Sequence, residues 1–310
     1  MELLFKRHIY TINYKSKEKN LCELEMKSLF NEPLINKFVF SDTLIDPNDS
    51  VFFKSRLDVM YMSKSIDELS RIIEESNLTL DGYKITYIKN DVIEYEKRLE
   101  AMKKIGNSIE GNFDLKTPKH SLCITRIDNI WYFGKYIKNN SQWVQRKTKP
   151  YNYSIALDIS LAKSLVNIAS KNRKNIKIVD PCCGIGTVVI EGLVMNLDIV
   201  GYEINSLIAR HANENLRHFG FDEVIKNKDM TIVKESYDVA IIDLPYGMYT
   251  PTTKNLQTDI IRKSRDITTE AVIVSKEQID TIITESGYKI ADKVELAKTR
   301  TFSRFIYLCK

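Results

Sequence analysis

The chain contains no apolar run that approaches the roughly 20 residues a membrane helix needs. Its first twenty residues, MELLFKRHIYTINYKSKEKN, carry an early acid and no apolar core followed by a small-residue cleavage site, so no signal peptide is expected. Cysteine is sparse: the five (Cys22, Cys123, Cys182, Cys183, Cys309) are odd in number and scattered, which suits free thiols in a reducing cytoplasm and not a disulfide framework. No Cys/His spacing resembles a zinc site, so no metal is expected. Internal repeats and low-complexity tracts are also missing. What remains, 43% hydrophobic and 28% charged over 310 residues, is the composition of a soluble globular protein long enough for two domains.

A strong net charge is absent too. The formal value is +5, mild for a nucleic-acid binder, and residues 1–150 hold most of it, with 25 Lys+Arg against 21 Asp+Glu. The excess is focused. From Asn129 to Leu157 there is no Asp or Glu, while Lys135, Lys138, Arg146, Lys147, Lys149 and both tryptophans, Trp131 and Trp143, fall within it. Basic residues interleaved with aromatics suit RNA, because cations meet phosphates and rings stack on bases. The plainer reading is a solvated basic hairpin and linker with the tryptophans in a core.

The second half alternates strands and helices. Strands are expected in 176–183, 198–205, 224–230, 237–243 and 270–275, and helices over 187–196, 206–220 (Ser206 as N-cap, Gly220 as C-cap), around 256–264 and over 276–287. Two last strands, YKIADKVELA and SRFIYLCK, suit a hairpin. Apolar strands separated by helices predict an α/β fold with a parallel sheet covered on both faces, the hairpin adding an antiparallel edge. The first half reads as α+β: helices over 20–30, 65–76 and 92–109, strands over 51–57, 83–89 and 120–137, the last with a turn near Asp128-Asn129. The boundary is expected at Pro150, giving domains 1–149 and 150–310.

VDPCCGIGT (179–187) reads as strand, glycine turn and helix start. Gly184 and Gly186 let the backbone turn sharply and approach a ligand. The third small residue of a dinucleotide fingerprint is missing; Val189 stands there. Asp180 precedes the turn, poorly placed beside a pyrophosphate and well placed beside an ammonium. That favours S-adenosylmethionine over NAD. Glu203, 17 residues after Gly186, suits ribose hydroxyls, a feature common to both cofactors. Asp229 ends the third predicted strand and suits an adenine amino group, with Met230 offering its N–H. Pro181, Cys182 and Thr187 complete the expected turn, the cysteines as small packing residues. Three acids at successive strand ends point to a shared site, since ligands bind at that edge in open α/β sheets.

DLPYG (243–247) follows the fourth strand. An exocyclic amine on a base is a poor nucleophile because its lone pair is delocalised into the ring. Asp243 and the Leu244 carbonyl are expected to accept its two N–H bonds and turn the lone pair toward a methyl donor. Pro245 fixes φ and leaves no competing N–H, Tyr246 stacks on a base drawn out of its helix, and Gly247 allows close approach.

On these residues the chain resembles the class I, amino-group-modifying methyltransferases: DPCCGIGT looks like their motif I and DLPYG like their [DN]-P-P-[YF] motif. More narrowly it resembles the THUMP-domain tRNA guanine-N2 methyltransferases. KPYNYSIALDISLAKSLVNIA (149–169) is similar to the start of their catalytic domain, and IGNSIEGNFDLKTPKHSLCIT (105–125) to the middle of a THUMP domain. Leu244 departs from the strict motif, where only a carbonyl is needed. The resemblance implies a Rossmann-like catalytic domain with a mostly parallel seven-stranded sheet, preceded by a ferredoxin-like and THUMP RNA-binding region. It implies S-adenosylmethionine as cofactor and tRNA as substrate. Asp in place of Asn at 243 favours guanine N2 over adenine N6. An adenine-N6 or rRNA methyltransferase and a catalytically silent RNA-binding protein are the alternatives; the intact acids argue against silence.

Overall fold

The computed structural model describes residues 7–89, 93–153, 156–245, 254–299 and 302–310. The chain forms two compact units and does not divide at a single point. One holds Ile35–Pro47 and Phe53–Asn140 with the first strand; the other holds Tyr14–Leu34, Asn48–Phe52 and Ser141–Lys310.

The elements begin with β1 (His8–Ile12), α1 (Lys19–Phe30), β2 (Phe38–Ser41), β3 (Phe53–Ser63), α2 (Ile66–Glu75), β4 (Tyr83–Tyr87), α3 (Tyr95–Asn107), β5 (His120–Ile127) and β6 (Ile130–Lys138). All but α1 build the first unit, around a six-stranded sheet in the order β2-β1-β3-β6-β5-β4. Strands β1 and β2 were not anticipated from the sequence: HIYTI and FVFS are short and are buried without alternation. Helix α2 starts where Ser65 accepts a hydrogen bond from the Glu68 N–H. Leu69 and Ile73, one turn apart, then face the sheet and join Ala101 and Ile105 of α3 over Leu122, Ile124 and Phe133. The β5–β6 turn falls at Asp128 and Asn129 as expected, both at positive φ (48° and 64°), the pattern a two-residue hairpin favours.

The second unit continues with α4 (Ile159–Ser170), β7 (Lys177–Asp180), α5 (Thr187–Val194), β8 (Asp198–Glu203), α6 (Ser206–His218), β9 (Ile225–Asn227), β10 (Tyr237–Asp243), α7 (Lys254–Ile267), β11 (Thr268–Ser275), α8 (Asp280–Glu285), β12 (Ile290–Thr299) and β13 (Phe302–Cys309). Its seven-stranded sheet has the order β12-β13-β11-β10-β7-β8-β9. Five strands are parallel, and β13 runs antiparallel to both β11 and β12. This is the expected α/β architecture with its edge hairpin. Val239–Ile242 and Ala271–Val274 are fully buried, as strands covered on both faces must be. Helix α4 is buried almost throughout because α1 covers it. Glu25 of α1 accepts hydrogen bonds from Ser50 (2.5 Å) and Asn167 of α4 (2.7 Å), which fixes α1 to this unit. Burial pushes the Glu25 carboxyl up from the ordinary carboxylate range.

Three local expectations are corrected. Asn205, not Ser206, caps α6, accepting from the N–H groups of Leu207 and Ile208. The helix expected over 276–287 is confined to α8, because the Ser275 hydroxyl and the buried Tyr307 hydroxyl accept the N–H groups of Glu277 and Ile279 before it starts. The third strand ends at Asn227, short of Asp229.

Candidate active site

Chain order reverses across the sheet between β7 and β10: β8 and β9 extend it one way, β11 and β13 the other. A crevice outside the carboxyl ends of the strands is the place where ligands bind in such sheets. Asp180 ends β7 and Asp243 ends β10 on either side of this switch.

The turn after β7 is shaped by its two glycines. Gly186, at φ 80°, has no room for a side chain: a Cβ there would lie 2.8 Å from Ile225 Cδ1. Gly184, at φ 52°, faces open space, with nothing within 4 Å of where its Cβ would stand. The first glycine therefore lets α5 pack closely and the second leaves backbone exposed to a ligand. Val189 takes up the position a third glycine would hold, and it packs on Gly201 of β8 instead. Cys183 also packs on Gly201, 2.8 Å from its would-be Cβ, which agrees with a packing role.

Asp180 is 3% exposed, and its Oδ1 accepts from the Cys182 N–H at 3.3 Å. Burial holds its carboxyl well above the ordinary range, and the charges of Asp243 and Glu203 push the same way. Glu203 accepts from the Gly184 N–H through Oε2 (3.2 Å) and from the Asn205 N–H through Oε1 (2.8 Å). Burial raises its pKa as well. Asp229 is the cap of a short 3-10 turn, Met230–Ile232, and accepts from the Thr231 N–H at 2.8 Å; Met230 is buried. The expected strand-end placement of Asp229 is thus corrected to a turn two residues beyond β9. The Cys182 thiol feels Asp180, Glu203, Asp243 and Asp229 together, and with burial they push its pKa far up. Asp180 and Glu203 both bond to the turn, and Asp243 ends the strand beside β7. Among the described residues no ion pair neutralises Asp180, Glu203 or Asp229. Convergent carboxylates beside an open glycine backbone fit a ligand that is cationic and carries hydrogen-bond donors.

Asp243 is half-buried. The Leu244 N–H donates to the Val274 carbonyl (3.1 Å), extending the β10–β11 ladder by one bond, and the Leu244 side chain is buried in the core. The Pro245 carbonyl accepts from Gln257 Nε2 at 3.2 Å, so α7 holds the end of the described motif. Tyr246 and Gly247 lie outside the described residues.

The basic stretch is divided between the two units, 129–140 in the first and 141–157 in the second. Trp131 is 9% exposed, packed in the core of the first unit against Tyr87 and the α2–α3 face, which overturns its expected stacking role. Arg146 is also reassigned: its guanidinium makes two 2.7 Å bonds to the fully buried Glu191, to which Lys163 comes within 3.7 Å. Lys149 donates to Thr187 Oγ1 at 2.6 Å, beside the glycine turn, and burial pushes its amine down to about 8. Lys135 and Lys138 are exposed on the first unit. Lys147 is exposed on the second, its ammonium 5.4 Å over the Trp143 ring.

Asn215 of α6 escaped the sequence reading. It is fully buried, accepts from the Tyr151 N–H (2.9 Å), and donates to the carbonyls of Tyr151 (3.0 Å) and Ile185 (3.1 Å). One signal was available: it falls three residues after Ala212 and next to Leu216, in the buried stripe of its helix. Among the described residues no cluster of His, Cys, Asp or Glu is arranged to hold a metal, and no helix is long and apolar enough to cross a membrane.

This geometry defines an open, mostly parallel α/β sheet with an acid-lined carboxyl edge. Residues 146–288, a little under half of the chain, match the family UPF0020: RMKL-like, methyltransferase domain. The tRNA (guanine(10)-N2)-dimethyltransferase of Methanothermobacter thermautotrophicus is 30% identical over 122 residues, covering 38% of this chain and 36% of that protein. The protein of the same name from Methanocaldococcus jannaschii is 23% identical over 244 residues, 66% of this chain and 68% of its own length. The chain thus matches about a third of the first relative's length. TrmN from Thermus thermophilus superposes with a TM-score of 0.47 at 12% identity, over 98% of this chain and 99% of that one. The resemblance drawn from DPCCGIGT and DLPYG agrees with the family match and these relatives.

Proposed function

We propose that the protein transfers a methyl group from S-adenosylmethionine to the exocyclic N2 of a guanosine in tRNA. The observations that carry this reading are the two acids bonded to the turn after β7, Asp180 to the Cys182 N–H and Glu203 to the Gly184 N–H, with Asp243 at the end of the neighbouring strand. Asp180 pairs with the donor's ammonium, Glu203 accepts from its ribose and Asp229 from its adenine, with the Met230 N–H beside the ring; Pro181, Cys182, Gly184, Gly186 and Thr187 form the wall. The donor supplies an electrophilic methyl group on a sulfonium.

The chain's own residues prepare the nucleophile. Asp243 and the Leu244 carbonyl accept the two N–H bonds of the amine, so the lone pair leaves conjugation with the ring. Pro245 holds the backbone that presents this carbonyl, and Tyr246 stacks on the base. A nitrogen–carbon bond forms as the sulfur–carbon bond breaks, and the proton shed by the amine is held by Asp243. The tRNA substrate is supported by the similarity to tRNA (guanine(10)-N2)-dimethyltransferases and by the exposed Lys135, Lys138 and Lys147. Residues 1–149 act in this reading as a THUMP-type RNA-binding region and 150–310 as the catalytic domain, to which α1 adds. The free thiols suit a cytoplasmic location.

The test is incubation with labelled S-adenosylmethionine and unmodified bulk tRNA, with the product nucleoside identified by mass spectrometry. N2-methylated guanosine is expected; N6-methyladenosine, or no product, overturns the assignment. Asp243→Ala is expected to keep donor binding and abolish transfer.

A further inference from the structure

We propose that Asn215 is a positioning residue for the donor site: it fastens the segment 149–153 onto the glycine turn and so fixes the shape of that turn. The inference rests on the donor-binding reading above.

Among the described residues the turn and the segment are linked at two places, once directly and once through Asn215. At one, Lys149 donates to the hydroxyl of Thr187, the first residue of α5. At the other, Asn215 uses its carboxamide on both sides at once. Its oxygen takes the Tyr151 N–H, and its nitrogen bridges the carbonyls of Tyr151 and Ile185. Ile185 lies between the two glycines whose backbone forms the open wall. A buried amide with this set of bonds is fixed in orientation, and every group it satisfies would otherwise be an unpaired backbone group. The same helix grips the segment once more: the His211 ring lies on Tyr151, centroids 3.8 Å apart and 6° from parallel, and its Nδ1 is 2.6 Å from the Tyr153 hydroxyl. Gly184 and Gly186 give the turn its freedom. Nothing intrinsic to a glycine turn selects one conformation; Glu203 holds it at the Gly184 N–H and the Cys183 carbonyl at the Gly186 N–H, and Asn215 adds the hold on the Ile185 carbonyl between them.

Only an amide meets both sides. Leucine of similar size loses all three bonds. Aspartate keeps the acceptor for Tyr151 but faces two carbonyl oxygens, and it can donate to one of them only when protonated. Asn215→Asp is therefore expected to recover donor binding relative to the wild type as pH falls, a change in the ratio that a pH-independent structural loss would not produce.

The experiment measures S-adenosylhomocysteine binding by calorimetry, alongside thermal unfolding, for the wild type, Asn215→Leu, Asn215→Asp and a stability control, Ile283→Val, in the core below α8. Asn215→Leu is expected to weaken binding about 10-fold or more, in line with the loss of at least one buried hydrogen bond. The donor KM should rise while kcat changes little. Ile283→Val is expected to bind as the wild type does. Should Asn215→Leu stay folded and bind within twofold of the wild type, the positioning role falls. It falls also if the affinity of Asn215→Asp relative to the wild type does not change with pH, or if Asn215→Leu fails to fold while Asn215→Asp binds as the wild type does at every pH. A wild type that does not bind S-adenosylhomocysteine overturns the donor reading itself, and this inference with it.

Discussion

Oε2 of Glu203 accepts a hydrogen bond from the Gly184 N–H at 3.2 Å, so the acid that ends β8 holds the glycine turn that follows β7. Its other oxygen takes the Asn205 N–H, and Asn205 in turn caps α6. One carboxylate thereby links two strands, a turn and a helix start. Glu203→Ala removes two charge-assisted bonds to backbone donors, each worth about 1.5–3 kcal/mol when buried. Half-exposure reduces that, and a net loss of about 1–2 kcal/mol is expected, read as a melting temperature lower by about 2–8 °C. Binding of S-adenosylhomocysteine should weaken more than this stability loss explains, because the ribose acceptor is lost as well. Equal binding in the variant and the wild type would refute the assignment.

Asp180 lowers the stability of the folded protein above the ordinary carboxyl pKa. Its folded-state pKa lies well above the ordinary carboxyl value, because of burial first and then the charges of Asp243 and Glu203. The sign follows from proton counting. Above the ordinary value the unfolded chain has released the proton while the folded chain still binds it, so stability is greatest in acid and falls as pH rises toward the raised pKa. Asp180→Asn removes this loss. The variant should melt higher than the wild type near pH 8, and the difference should shrink as pH falls toward about 4. It should also bind donor poorly. A cation beside Asp180 favours the ionised form, so donor binding by the wild type should release a proton and tighten with pH, a dependence the variant lacks. Calorimetry in buffers of different ionisation enthalpy reads that proton. No release in the wild type would separate Asp180 from the donor's ammonium.

These outcomes bear on what the sequence could reveal. The strand ends Asp180, Glu203 and Asp243 were legible because each acid follows an apolar run, and the parallel sheet carries such runs to one edge. Asp229 was read as a fourth of the same kind and is instead a turn cap, because β9 lasts only three residues. Trp131 and Arg146 were misread for one reason. A basic, aromatic stretch states which groups are present but not which way they face, and β6 turns Trp131 inward while Glu191 draws Arg146 to a buried acid. Helix α1 joins the second unit through Glu25, Ser50 and Asn167, a set of residues far apart in the chain that no local pattern announces. Asn215 was missed in the same way: its meaning lies in two backbone carbonyls, at Tyr151 and Ile185.

The reassignment of Arg146 separates two effects that the charge count alone would merge. Glu191 is fully buried and Arg146 is its bidentate partner, so Arg146→Ala leaves a buried carboxylate with Lys163 at 3.7 Å as its nearest remaining cation. Removing one member of a buried pair costs about 3–5 kcal/mol, and the variant is expected to unfold at clearly lower temperature or denaturant concentration. The exposed Lys135, Lys138 and Lys147 carry no such burden. Neutralising the three together with glutamine should shift the melting temperature by no more than about 3–6 °C, since surface changes are worth up to about ±0.5 kcal/mol each. Binding of tRNA, measured by filter retention from low to high salt, should then weaken, and the slope of log affinity against log salt should fall by about 1 for each lysine that meets a phosphate. Arg146→Ala, assayed below its melting temperature, should keep the wild-type slope. The opposite pattern, a slope changed by Arg146→Ala and unchanged by the triple lysine variant, would return the RNA surface to the stretch around Arg146.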